Sequence, residues 1–284
     1  MLNLSEDIIL MCCPECSGNL IINKDKSQIL CTECGNCYPV IENVPHFCLQ
    51  KNNIITKNLN RDYTDISHWT KWRRENFDFC KKAIQGTEND SVVLDIGAGS
   101  GHFRKLFMKY KKYITIDFYP YQGITIIADF TKKIPLKSGT ANIVLLSNVL
   151  EHTPEPAFLL NECNRLLAPK ENRLIILVPF IIKIHQAPYD FYRYTSFALE
   201  RLLKKAGFKK ITIYPIGNIL DIYETIQKSL LKIHSKQSKS LYSRIERRIF
   251  MTLNNTINRR LNRLLNEIEN EKQYIQGYGC IAVK

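Results

Sequence analysis

A doubly wound α/β sheet is the fold this sequence predicts for its middle and C-terminal parts, on three observations. Strand-like and helix-like patterns alternate from residue 91 onward, a glycine-rich turn (Gly97-Ala98-Gly99-Ser100-Gly101) follows the first strand, and polar residues stand at the ends of successive strands. The chain divides as 1–50, a cysteine-paired segment; 51–90, a linker and helix; 91–217, the sheet; 218–274, a basic helical insertion; and 275–284, the last strand. Its 284 residues, 45% hydrophobic and 24% charged, suit a globular core and exclude disorder throughout.

Near the N-terminus, Cys13-Pro14-Glu15-Cys16 and Cys31-Thr32-Glu33-Cys34 flank fourteen residues that hold two short strand-like runs, Leu20-Ile21-Ile22 and Gln28-Ile29-Leu30. A hairpin that brings two CxxC turns together gives four thiolates at tetrahedral spacing, the donor set of a closed structural Zn2+ site. A segment of roughly fifty residues buries little core, so a metal would supply the missing stability. Cys12 and Cys37 sit beside these ligands, while Cys48, Cys80, Cys163 and Cys280 read as small buried side chains. The residues from the first CPxC through Leu20 and Leu30 to Cys31 and Cys34, then Tyr38-Pro39-Val40 and Val44-Pro45, resemble a small zinc-ribbon family. Members of that family activate methyltransferases or precede them in one chain; Asn43 stands where they carry glycine.

The second part opens with a helix carrying Trp69, Trp72, Phe77 and Phe79, aromatics expected to pack rather than to bind ligand. The apolar run Val92–Ile96 suits a strand covered on both faces, and His102–Phe107 has apolar residues at helical spacing. Strands are predicted over 113–116, 124–128, 142–146 and 173–178, with helices around 158–167 and 197–206. Two further strands, 210–214 and 278–283, are expected as an antiparallel edge pair. Glycines at alternate positions let the chain turn sharply and leave bare backbone for a ligand. Asp117, 22 positions after Asp95, ends the second strand, where an acidic side chain reaches ribose hydroxyls.

DIGAGSG at 95–101, Asp117, Asp129-Phe130, NVLEH at 148–152 and the terminal GYGCIAVK together resemble the class I S-adenosylmethionine-dependent methyltransferases, of the type 11 kind. The resemblance covers about 91–217 plus the last strand and implies a seven-stranded Rossmann-like sheet with an antiparallel last strand, and S-adenosyl-L-methionine as cofactor. Carried over position by position, it implies that Asp95 and the turn residues Gly97, Ala98, Gly99 and Gly101 hold the methionine portion, Asp117 the ribose, and Asp129 with Phe130 the adenine, with Asn148 beside them. Asn142 stands where the family has aspartate. A nicotinamide dehydrogenase is the main competitor, but its turn is GxGxxG and this one is GxGxG.

Methyl transfer needs a nucleophile aligned with the methyl group, and a hydroxyl or amine acceptor gains from a general base. His185 is the first candidate base and Asp190 the second, in a segment (184–195) dense in titratable and aromatic groups; Asp190 with Arg193, and Tyr192, also read as loop-fixing residues, and His152 as a brace for its turn. This segment resembles the HxxPxDYxRYT stretch of a methyltransferase subgroup often associated with polysaccharide or surface-glycan biosynthesis.

Between the last two strands, Leu241, Ile245, Ile249, Leu253, Ile257, Leu261, Leu265 and Ile268 recur near helical spacing, read as two helices broken near Asn254-Asn255. Residues 232–263 hold nine Lys or Arg and one acidic residue, Glu246, in a chain of net charge +13. Such a segment can lie on an anionic membrane surface, grip phosphates, cover the substrate cleft, or form a homo-oligomer contact. No export signal or span is read, so a cytoplasmic protein is expected, peripheral at the inner membrane surface if the basic segment binds there. The function predicted is methylation, O-methylation favoured, of a small-molecule or lipid-linked glycan acceptor. RNA methylation is the second reading, since an rRNA guanine methyltransferase family also carries an N-terminal zinc finger and basic charge suits RNA. A non-catalytic scaffold that binds a partner through its ribbon is the third.

Overall fold

The computed structural model describes residues 3–48, 69–169, 172–237, 245, 248–254, 256–260 and 274–284. The linker expected over 51–60 lies outside them. A single helical turn, α1 (Leu4–Asp7), precedes a four-stranded antiparallel sheet in sequential order: β1 (Leu20–Ile22), β2 (Gln28–Cys31), β3 (Cys37–Ile41) and β4 (Val44–Pro45). The β3–β4 turn consists of Glu42 and Asn43, with φ of 51° and 62°, a primed two-residue hairpin turn. Asparagine tolerates the left-handed region, so Asn43 serves where the resembled family uses glycine.

The second unit runs α2 (Lys71–Ala83), β5 (Val92–Ile96), α3 (Arg104–Phe107), β6 (Lys112–Asp117), β7 (Ile126–Ile127), β8 (Ile143–Ser147), α4 (Pro156–Leu166), β9 (Arg173–Pro179), α5 (Ser196–Lys205), β10 (Lys210–Ile216), α6 (Ile219–Gln237) and β11 (Gly277–Val283). Seven strands lie in the order β10-β11-β9-β8-β5-β6-β7. Strands β5 to β9 pair in parallel, and β11 is antiparallel to both neighbours. This is the predicted α/β fold, a seven-stranded Rossmann-like methyltransferase sheet with a small antiparallel sheet before it.

The last two strands form the expected antiparallel pair at one edge of the sheet, with β10 outermost and β11 between it and β9. Burial explains it, because β10 buries only Ile216 whereas β11 buries Gly277, Gly279, Cys280 and Ala282. A Cβ at Gly277 would lie 2.3 Å from the Trp72 ring and 2.4 Å from the Val178 carbonyl, and one at Gly279 2.8 Å from the Phe79 ring. These two glycines let the aromatics of α2 lie directly on the strand, so Trp72 and Phe79 pack as predicted. The helix expected over 102–107 shrinks to the four residues of α3, with β6 starting five residues after it ends. The third strand, expected over 124–128, shrinks to two residues, and just before it Thr125 Oγ1 takes the Thr115 N–H at 2.8 Å.

Side chains alternate across the sheet, as the period of two requires. Leu94, Ile96, Ile114, Ile116, Val144 and Leu146 join α4, α5 and the small sheet, while Val93, Ile143, Leu145, Ile175 and Leu177 join α2, Phe103 and Phe107. The small sheet docks on the β7 edge: Phe47 N–H donates to Ile127 O at 2.8 Å, Lys137 N–H to Leu10 O at 2.8 Å, and Asp7 pairs with Lys112. Asn142 Oδ1 accepts from Val92 N–H at 2.8 Å, an acceptor role aspartate fills equally well.

Of the insertion, α6 and residues 248–254 and 256–260 are helical. Ile245, Ile249, Leu253 and Ile257 are exposed while Asn254 and Asn258 are buried; Leu241, Asn255, Leu261, Leu265 and Ile268 lie outside the described residues. Among the described residues no helix is long and apolar enough to cross a membrane.

Candidate active site

Strand order reverses at β5, with β6 and β7 laid to one side and β8 and β9 to the other, so a crevice opens at the carboxyl ends of β5 and β8. The chain leaves β5 through Gly97, Gly99 and Gly101, with φ of 71°, 52° and 73°, a region costly to other residues. A Cβ on Gly97 would lie 2.5 Å from Val149, whereas nothing comes within 4 Å of one built on Gly99. The Gly99 N–H donates to Asp117 Oδ2 at 2.8 Å and the Tyr119 N–H to Oδ1 at 3.0 Å, which fixes the carboxylate at the end of β6 against the turn.

Two cavities meet here. One, of about 510 Å³, is lined by Asp117, Phe118, Phe130, Thr131, His152 and Tyr189 among others. The other, of about 340 Å³, reaches Trp72, Asp95, Ala98, His102, Pro179 and His185. They share Gly97, Gly99, Tyr121, Asn148 and Gln186. Asn148 adopts a φ of 54°, a conformation asparagine tolerates better than most residues. Phe130 meets Phe118 edge-on at 4.8 Å.

Asp95 is buried at the floor of the second cavity, where Tyr113 Oη donates to its Oδ2 at 2.5 Å. Burial pushes this carboxyl up to about 7, the Tyr113 bond pulls it down, and the Asp117 charge raises it further. Burial raises Asp117 as well, against the backbone amides that hold its charged form. Asp129 Oδ1 accepts from Thr131 N–H at 2.9 Å and Thr131 Oγ1 at 2.5 Å, and Asp129 lines an adjoining cavity of about 360 Å³ with Pro14, Cys48 and Lys132, which shares Phe118 with the cleft. Thr131 lines the cleft itself.

The segment after β9 folds back onto the end of β8. Phe191 and Tyr192 N–H groups donate to Glu151 O at 2.9 and 3.2 Å, Tyr192 Oη to Pro154 O at 2.9 Å, and Tyr194 Oη to Leu150 O at 3.0 Å. Arg193 forks onto Asp190 at 2.6 and 2.8 Å, and the His185 N–H donates to Asp190 Oδ2 at 2.8 Å. The guanidinium holds Asp190 well below the usual carboxylate range, so this residue is a poor base and an anchor for His185 instead. His152 Nδ1–H donates to Tyr189 O at 2.6 Å, bracing the loop against the strand end. Its ring lies edge-on to His185 at 4.7 Å, and burial lowers its basicity.

Between the two rings lies a residue that sequence reading passed over. Glu151 is fully buried, neither carboxylate oxygen has a hydrogen-bond partner, and burial pushes the group up to about 8. Its Oε1 is 3.6 Å from His152 Nε2 and 3.8 Å from His185 Nε2. Glu151 directly precedes His152 in NVLEH, but only the fold brings His185, 34 residues later, to the same carboxylate.

In the small sheet, Cys13, Cys16, Cys31 and Cys34 converge, their sulfurs all within 4.8 Å of one another. Cys13 and Cys34 are 3.7 Å apart and Cys16 and Cys31 3.4 Å. Zinc–sulfur bonds near 2.3 Å put the edge of a tetrahedron at about 3.8 Å. Tyr38 Oη lies 3.1 Å from the Cys13 sulfur, and Gly18 N–H donates to the Cys16 sulfur at 3.3 Å.

The sequence model of the family described as a methyltransferase domain matches residues 68–213, more than half of the chain. The chain belongs to this family. It is a methyltransferase with the S-adenosylmethionine-dependent fold, and its sheet order and glycine turn agree with that membership. Among solved structures it is similar to an S-adenosylmethionine-dependent methyltransferase from Archaeoglobus fulgidus (18% identity over 75% of this chain and 94% of that one, TM-score 0.49). It is also similar to phosphoethanolamine N-methyltransferase 2 of Haemonchus contortus in complex with S-adenosyl-L-methionine (14% identity, 74% and 52%, TM-score 0.47). A third similarity is to the complex between the Haloferax volcanii Trm112 methyltransferase activator and a methyltransferase (16% identity, 51% and 74%, TM-score 0.45). No curated protein matches the sequence. Identities this low carry nothing about the acceptor.

Proposed function

We propose that this methyltransferase methylates an oxygen of a small or lipid-linked glycan-type acceptor. The observation that carries the reading is the placing of His185 on the wall of the second cavity, next to Gln186, which both cavities share, with its backbone anchored by Asp190 and Arg193 in a segment that exposes aromatic rings. A hydroxyl acceptor must shed a proton, and His185 stands where one can be received. Tyr189, Phe191 and Tyr192 expose ring surface beside it, which suits the apolar face of a sugar ring.

S-adenosylmethionine, when bound, supplies a methyl group already activated on a sulfonium. The cleft fits it: bare backbone at Gly99, a buried carboxylate at Asp95 for an ammonium, and the Asp117 carboxylate at the far wall for a diol. On this reading Asp95, Gly97, Ala98, Gly99 and Gly101 hold the amino-acid end, Asp117 the ribose, and Phe130 with Thr131 the base, with Asn148 bridging the two cavities; Asp129 acts by holding Thr131. Cys13, Cys16, Cys31 and Cys34 hold a structural zinc, whose separations they approach without rearrangement. The exposed Ile249, Phe250, Leu253 and Ile257, interspersed with exposed Arg248, Arg259 and Arg260, rest on an anionic membrane surface and bring the enzyme to a lipid-linked acceptor.

The test is to incubate the purified chain with labelled cofactor and fractionated lipid, glycan and RNA extracts. Label in a glycan or lipid fraction is expected; label in RNA alone overturns the acceptor class. Failure to bind the cofactor by calorimetry would overturn the enzymatic reading in favour of a scaffold. Flotation with liposomes at physiological salt is expected only when anionic lipid is present, and its absence removes the membrane contact.

A further inference from the structure

We propose that Glu151, His152 and His185 form a divalent-cation site at the acceptor end of the cleft. Three electron-rich atoms face one another there. The Tyr189 carbonyl can only accept, so His152 carries its proton on Nδ1 and presents Nε2 as a lone pair. His185 Nδ1 lies 3.3 Å from Asp190 Oδ2, the carboxylate that Arg193 forks, and its Nε2 is on the side of Glu151. Both Nε2 atoms lie within 4 Å of Glu151 Oε1, that of His152 has no hydrogen-bond partner, and the Glu151 oxygens have no hydrogen-bond donor although the residue is fully buried.

Leaving a buried carboxylate unpartnered is strongly unfavourable, and the separations of 3.6 and 3.8 Å are too long for either imidazole to hydrogen-bond it. They suit ligands around one ion: bonds of about 2.1 Å set neighbouring donors roughly 3.0 to 3.4 Å apart, a few tenths inside what the cluster shows. His152 is also held from behind by a backbone carbonyl, the outer arrangement typical of metal-binding imidazoles, and Asp190 Oδ2 stands 3.3 Å behind the His185 ring while accepting its backbone N–H. Two nitrogens and one carboxylate leave positions open, and His152 and His185 line the two cavities of the cleft, so those positions face the acceptor. If the acceptor is a hydroxyl compound, as proposed above, its oxygen binds the ion and its proton leaves to solvent more readily; His185 then serves as ligand rather than as a free base.

Manganese(II) discriminates this site from the ribbon, because it favours oxygen and nitrogen donors over thiolates. The full chain, its ribbon loaded with zinc, is titrated with MnCl2 while the free-ion paramagnetic resonance signal is followed, with no acceptor present. Uptake of one manganese per chain is expected, weakened at least about tenfold in Glu151→Gln and in His185→Ala, and by a similar factor in Asp190→Asn, which touches only the outer shell. Cofactor affinity measured by calorimetry reports that each variant is folded. No uptake at millimolar manganese, or uptake by folded Glu151→Gln equal to that of the unaltered chain, overturns the site. Since the acceptor is absent, an error in its class leaves this result standing.

Discussion

Asp95 is the carboxylate whose surroundings most shape the cofactor end of the cleft. Its charge is set first by burial, which disfavours the ionised form, then by Tyr113, which donates to it, and by Asp117, which repels its ionised form. Because its folded value is raised to about 7, the empty protein holds an extra proton between the ordinary aspartate range and neutrality, so this group's contribution to stability declines as pH rises through that window. A cationic ligand favours the ionised form, so S-adenosylmethionine should bind more weakly as pH falls below 7, by up to about tenfold per unit. Calorimetry from pH 5.5 to 8 on the native chain and on Asp95→Asn tests this; an equal slope in both excludes Asp95. Gly97 is constrained twice, by a φ of 71° and by Val149 at 2.5 Å from a built Cβ. Gly97→Ala should cost about 1 to 3 kcal/mol in stability from backbone conformation alone and abolish cofactor binding. A variant that melts and binds like the native chain would place the turn elsewhere in the mechanism. His185→Ala should lower turnover on the true acceptor with little change in cofactor affinity, and unchanged turnover would remove it.

At the scale of elements, the packing of α2 on β11 is the contact sequence patterns conveyed least. GYG at 277–279 lies in the strand the sequence predicts, and its glycines are there because aromatic rings occupy the space where side chains would stand. Gly277→Ala must displace either Trp72 or the Val178 carbonyl, and overpacking of that kind costs typically 1 to 3 kcal/mol. A lowered melting temperature is expected; an unchanged one would mean α2 moves freely over the strand. The loop over 180–195 is held for an equally local reason, since two tyrosine hydroxyls tie it to Leu150 and Pro154 after β8 and Arg193 pins Asp190 within it. Its aromatic density is legible in the sequence, but its two duties, anchoring below and exposing rings above, are separated only by which hydroxyls find carbonyls.

Over the whole molecule, the small sheet and the large one share a core: Met11, Cys13 and Ile29 belong to the same apolar cluster as Ile126 and Leu136. The ribbon also covers the β7 edge, which would otherwise offer unpaired backbone to another chain. Removing zinc with a chelator, or replacing Cys31 with serine, should therefore lower the melting temperature of the entire protein in one transition. A separate early transition with the main one unmoved would show the two sheets to be energetically independent.

What the sequence by itself determined was the local chemistry: the glycine turn, the acidic ends of β5 and β6, the paired cysteines and the order of strands and helices. Such features rest on spacing within a few residues, where backbone conformation and side-chain type suffice. Tertiary structure alone decided the rest. It put β11 between β9 and β10, tied Asp129 to Thr131, committed Asp190 to Arg193, and brought Glu151 to two histidines from different loops. Burial and partner geometry arise only when distant segments meet, and they decide whether a carboxylate is a base, an anchor or a ligand.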